Sequence, residues 1–133
     1  NVYYQAAPSC TNVIAGSETV TVRPTPTATI AGTITVCQDD ASPDITFTNP
    51  QTLPVTVTYK INAGADLTVN VAASSSATVA APTGAAGDFV YSLVNVYYQA
   101  APSCTNVIAG SETVTVRPTP TATIAGTVTV CQD

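Results

Sequence analysis

The sequence predicts an all-β chain in which a small antiparallel domain recurs along the polypeptide. Three observations predict it. Residues 1–39 recur as residues 95–133 with one change, Ile34 becoming Val128, so the period is 94 residues. The chain is rich in Thr, Val and Ala and only 8% charged, and β-branched side chains fit a pleated, half-buried surface. Short runs alternate apolar and polar residues, while no stretch shows helical spacing. A period of this size suits one domain with its own core, unlike short solenoid repeats that must stack to bury an apolar face.

The phase of the repeat follows from Arg23-Pro-Thr-Pro-Thr. Pro24 and Pro26 cannot donate to a sheet ladder and favour extended backbone. Residues 24–26 therefore read as a short, stiff linker, with 118–120 as its copy around Pro118 and Pro120. Residues 1–23 become the C-terminal part of a preceding repeat, 27–117 one complete repeat, and 121–133 the N-terminal part of a following repeat.

Within 27–117 the strands follow in order. Ile34 and Val36 alternate with Thr33 and Thr35. Ile45 and Phe47 alternate with Thr46 and Thr48. Val55, Val57, Tyr59 and Ile61 alternate with Thr56, Thr58 and Lys60. Asn62-Ala-Gly-Ala reads as a turn, and Leu67, Val69 and Val71 return to complete a hairpin. Ser76 to Ala80 forms a weaker strand, ended by Pro82 and Gly84. Phe89, Tyr91 and Leu93 share one face of the next strand, with Val90, Val94 and Val96 on the other. This strand is apolar on both faces, so either it bulges or another element covers its outer side. Val114 and Val116 alternate with Thr113, Thr115 and Arg117 in the last. About seven short strands in a domain of this length point to an antiparallel immunoglobulin-like β-sandwich, with another Greek-key sandwich as the alternative.

Net charge is −5, and the only cations are Arg23, Lys60 and Arg117. Nucleic acid and anionic membrane surfaces require clustered Lys and Arg, so both are disfavoured as partners. No apolar run approaches the length of a membrane span, which disfavours direct membrane insertion. The chain has no His, Met or Trp. Without His it lacks the commonest general base, and no base is placed to activate a serine. We expect no enzyme activity, no catalytic residue and no cofactor.

Cys10 and Cys37 recur as Cys104 and Cys131, and none forms a CxxC pair that would hold zinc. Two well-separated cysteines per repeat suggest a disulfide and an oxidising compartment. On the chosen phase Cys37 and Cys104 share one repeat, and we expect them to bond, with Cys10 and Cys131 paired to other repeats. The expectation carries a tension. In simple immunoglobulin topology the two positions fall at opposite ends, and a bond between them requires a kinked first strand or a folded-back loop at 99–110. A bond between adjacent repeats and free thiols are the rivals.

Asp39, Asp40 and Asp44 place three carboxylates in six residues of a loop, a weak candidate for structural Ca²⁺. Their spacing matches no EF-hand, and an ordinary solvated turn is the plainer expectation. Lys60 alternates with core-facing residues, so it should point outward rather than form an isopeptide bond. Tyr97 and Tyr98, ahead of a loop, are weak candidates for contact with a sugar or protein ligand. The plainer expectation is that one packs inside while the other covers the junction between repeats.

The frame PTATIAGTITVCQDDASPDITFT, then VTVTYKINAGADLTVNV, then GDFVYSLVNVYYQAAPSCTNVIAGSETVTVRPTPTATI resembles the immunoglobulin-like tandem repeats of giant Bacteroidetes cell-surface adhesins of the SprB gliding type. The likeness spans the whole chain, and its more specific parts are the PTATI opening with TVCQ and the close from Cys104 to TVTVRPTPTATI. It implies export by the type IX secretion system, an extracellular, outer-membrane-attached location, and a long filament used in attachment and gliding motility. Neighbouring repeats of the same chain are then the immediate partners. Two other roles fit the sequence: an immunoglobulin-like module binding carbohydrate or a surface protein, and a spacer in a secreted hydrolase.

Overall fold

The computed structural model describes residues 1–3 and 5–133. The chain is all-β, with no helix among the described residues. Its strands are β1 (Val2–Tyr3), β2 (Thr11–Asn12), β3 (Thr29–Ala31), β4 (Ile34–Cys37), β5 (Asp44–Asn49), β6 (Val55–Ile61), β7 (Leu67–Val71), β8 (Ser75–Ala80), β9 (Gly87–Tyr98), β10 (Thr105–Val107) and β11 (Ser111–Arg117). All seven runs read from the sequence occur as strands. The two additions in the complete repeat, β3 and β10, are three residues each, too short to show an alternation.

The strands form three sheets. One has the order β3-β5-β8, another β4-β11-β9-β6-β7 with β10 also on β9, and the third is the β1–β2 pair. Every pairing is antiparallel except β4 with β11, which is parallel. One apolar core joins the first two sheets. Ile45 and Phe47 enter it from β5, and Val57, Tyr59, Tyr91 and Val114 from the larger sheet. The Phe47 and Tyr59 rings meet across it with centroids 4.9 Å apart. Each such fully buried side chain stabilises by about 1.5–3 kcal/mol. The buried core cluster runs from Ala28 to Val116, with the buried Pro26 just ahead of it.

A bulge resolves the two apolar faces of β9. Thr58 pairs with Asn95 but Tyr59 pairs with Leu93, so Val94 is the extra residue. Side chains alternate along a strand, and one extra residue reverses the parity. Tyr91 and Leu93 before the bulge, and Val96 and Tyr98 after it, are therefore all buried.

The first strand of the repeat changes sheet. Ala31 of β3 pairs with Thr46, while Ile34 of β4 pairs with Val114. Gly32 makes the crossing at φ 137°, and a Cβ there would lie 2.8 Å from the Asp44 carbonyl oxygen and 2.9 Å from Ile45 Cδ1. Only glycine combines that backbone angle with that approach. At the far end of β5, the buried Asn49 amide donates to the carbonyls of Leu53 (2.9 Å) and Ala72 (3.0 Å), and its oxygen accepts from the Gln51 amide. A buried side-chain amide is tolerated because its groups are bonded.

The copied segments behave differently on the two sides of this core. Val2 pairs with Asn12 and Tyr3 with Thr11, the register of their copies Val96 with Asn106 and Tyr97 with Thr105. This hairpin forms from its own residues. Val20 and Val22, by contrast, are 87% and 85% exposed, whereas their copies Val114 and Val116 are buried in β11. A strand of that kind depends on distant partners for its bonds and its burial.

Candidate functional site

The complete repeat is held between two polar ends, and the predicted site residues divide between them. The chain enters at the end of β9 that carries Tyr98. The Tyr98 hydroxyl donates to the Pro24 carbonyl (3.0 Å) and lies 3.1 Å from Gln51 Oε1. Asn106 donates to the Pro26 carbonyl (3.0 Å), and Gln51 donates to the Thr27 hydroxyl (3.0 Å). Pro26 is fully buried. Proline lacks an N–H, but its carbonyl still accepts, so the 24–26 segment docks on the repeat it precedes.

Arg23 extends this contact. Its guanidinium donates to the carbonyls of Ala100 (2.9 Å) and Pro102 (3.1 Å) and stands 5.9 Å from the Tyr98 ring centroid. Cys104 lies two residues beyond Pro102, with its amide bonded to the Pro102 carbonyl and its carbonyl accepting from the Tyr98 amide.

At the opposite end the chain leaves through Arg117, which pairs with Cys37. The Gln38 amide donates to the Arg117 carbonyl at 2.8 Å. Val36 and Val116 turn toward the core, so Cys37 and Arg117, one residue further, turn outward together. The Asp39-Asp40 turn closes this end: Asp40 Oδ2 accepts from the Cys37 amide (3.0 Å), and the Asp40 carbonyl accepts from the Thr83 hydroxyl (2.6 Å). Asp39 has φ 67°, a conformation that Asp tolerates in turns.

The expected bond between Cys37 and Cys104 does not form. Val116, next to Arg117, pairs with Gly87 at the start of β9, while Thr105 pairs with Tyr97 near its end. At about 3.3 Å per residue, the length of β9 leaves roughly 35 Å between the two positions, against the 7 Å or so between Cα atoms that a disulfide allows. The first strand is indeed kinked, but β4 then runs parallel to β11 and carries Cys37 away from Cys104. No disulfide joins any of the four cysteines in this structure.

The tyrosine pair is also divided. Adjacent strand residues face opposite ways, so Tyr98 is 1% exposed in the core while Tyr97 is half-buried on the other face. Tyr98 therefore presents no ring to an external ligand. The three carboxylates do not converge: Asp40 is committed to its own turn, while Asp44 begins β5 opposite Ala80. No group of three or more acidic, His or Cys side chains that could hold a metal ion occurs among the described residues. Lys60 faces outward, 3.4 Å from Asp66.

A shallow concavity is lined by Val2, Tyr3, Cys10, Thr11 and Asn12. Val96, the copy of Val2, is wholly buried, so this hollow is a surface that the complete repeat covers with its own core.

The docked linker and the two-ended arrangement lie beyond what the sequence reading found. Comparison with protein-family models, with curated proteins and with solved structures yields no match to this chain.

Proposed function

We propose that residues 27–117 form an immunoglobulin-like β-sandwich whose role is mechanical: a non-catalytic structural repeat of an exported, cell-surface adhesin filament that serves attachment and gliding. The observation that carries this reading is the placement of the chain's entrance and exit. The chain enters beside Tyr98 and leaves beside Gly87, at opposite ends of the longest strand. Tension along such a chain pulls β4 toward one end and β11 toward the other.

Because β4 and β11 are parallel, that pull loads their ladder in shear, so the bonds resist together rather than opening singly. Two further features support the reading. Glu112 of β11 holds Thr33, just ahead of β4, by side-chain bonds outside the ladder. The docked Pro24–Pro26 segment passes load directly into the body of the repeat.

Two measurements test the proposal. An antibody against folded 27–117 should label intact cells, and brief protease treatment of those cells should remove the label. In single-molecule pulling, each unfolding event should release roughly 280 Å of contour, the extended length of about 90 residues less the folded span. Antigen confined to the cell interior, or extension without discrete unfolding events, would overturn it.

A further inference from the structure

We propose that consecutive repeats are joined by a disulfide across each junction, between Cys37 of one repeat and Cys104 of the next. The proposal rests on the tandem reading of the 94-residue period, and not on the adhesin role.

The geometry comes from one arginine seen in its two copies. Arg117, at the exit of the repeat, pairs with Cys37, and both side chains face outward. Arg23 is the copy of Arg117 from the repeat before. It reaches into the entrance of the following repeat and donates to the Ala100 and Pro102 carbonyls, four and two residues ahead of Cys104. The same arginine thus stands beside the cysteine of the repeat it ends and clasps the loop that carries the cysteine of the repeat it precedes. Directly paired strand residues are about 5 Å apart, so the two cysteines fall on either side of this one arginine. The junction thus brings the two cysteines to one arginine, whereas the roughly 35 Å within a repeat is fixed by β9.

Other pairings fail by the same register. Cys131 is the copy of Cys37 and belongs at the far end of the next repeat, and Cys10 is the copy of Cys104 and belongs at the far end of the preceding one. Cys37 is exposed and Cys104 half-exposed, so both are open to a thiol–disulfide exchange reagent. The chemistry needs a disulfide donor, such as oxidised glutathione or an oxidoreductase cystine. One cysteine thiolate attacks the donor S–S bond, forms a mixed disulfide and expels one donor thiolate. The second cysteine thiolate then attacks the protein sulfur of that mixed disulfide and expels the other. The two cysteines lose two electrons and two protons, and the donor leaves as two thiols.

The test uses residues 1–133 followed by residues 40–133 again, which continues the period through a second complete repeat. After equilibration with oxidised and reduced glutathione, thiols are counted by maleimide–polyethylene glycol gel shift on the monomer. We expect the loss of one pair of thiols. Cys37→Ser in the first repeat, or Cys104→Ser in the second, should abolish that loss, while Cys104→Ser in the first repeat should leave it unchanged. Equal melting temperatures of wild type and variants after full reduction confirm that the fold is retained. Retention of every thiol, blockage by the first-repeat Cys104→Ser, or cross-linking only between separate molecules overturns the proposal. Because the readout is made on purified protein, these outcomes are independent of whether the parent chain acts at a cell surface.

Discussion

Thr33 and Glu112 are bonded twice: the backbone amide of Thr33 (2.9 Å) and its hydroxyl both donate to one carboxylate oxygen of Glu112. The Thr33 hydroxyl in turn accepts from the Thr113 amide at 3.2 Å. This cluster pins the crossing strand to β11 just before the parallel ladder begins. Glu112→Ala should lower stability by about 1–2 kcal/mol, the net worth of hydrogen bonds to a charged but partly solvated group. Glu112→Gln keeps an acceptor and should cost less. Chemical denaturation of the three proteins checks the order. In pulling experiments the alanine variant should also unfold at lower force.

Gly32→Ala should be among the most damaging single substitutions in the repeat. The new methyl would sit 2.8 Å from the Asp44 carbonyl, a backbone atom of β5 that cannot move aside, on a residue at φ 137°. We expect a loss of about 2–4 kcal/mol from clash and strain together. Gly84, with nothing within 4 Å of an added Cβ, is the control. Gly84→Ala should change the denaturation midpoint little. Equal effects at the two positions would refute the account given for the crossing.

Tyr91→Phe should stabilise the repeat. Its ring is wholly buried and stacks near Tyr59 with centroids 6.2 Å apart, but its hydroxyl has no hydrogen-bond partner among the described residues. Removing an unbonded buried hydroxyl relieves a desolvation cost of about 1–3 kcal/mol, part of which returns as a gain in stability. A rise in melting temperature checks this. Tyr98→Phe should act in the opposite sense, since that hydroxyl holds Pro24.

Alkaline pH should unfold the repeat cooperatively. Burial raises the pKa of Tyr59, and burial followed by the neighbouring Tyr59 raises that of Tyr91. In the unfolded chain both return to about 10. A group whose pKa is higher in the folded state binds its proton more tightly there, so its full contribution is present below pH 10. That contribution is lost as pH rises above 10 toward the folded values. Denaturant midpoints measured from pH 8 to 11.5 should fall above pH 10, and less steeply in Tyr91→Phe.

Much of the fold was legible because each signal was local. Val55 to Ile61, the turn at Asn62 and Leu67 to Val71 form β6 and β7 where the alternation placed them. Ile45, Phe47, Val114 and Val116 are buried as their spacing required. The separation of Cys37 from Cys104 was legible only as a tension with simple immunoglobulin topology, because it depends on β4 pairing with β11 in parallel, a long-range choice without a local pattern. Tyr98 was ambiguous for a related reason. Its parity relative to Tyr91 is set by the bulge at Val94, and nothing in the apolar run from Phe89 to Val96 marks which residue is extra. Docking of the proline segment was hidden because it is made through backbone carbonyls, which every residue carries.

The opposed placement of the chain's entrance and exit has a genetic consequence. Units that join head to tail without sharing a core give a molecule whose reach is simply proportional to their number. On the proposed tandem reading, near-identical coding segments would let unequal crossing-over lengthen or shorten such an array in equal steps. No side chain would have to adapt for the ruler to change.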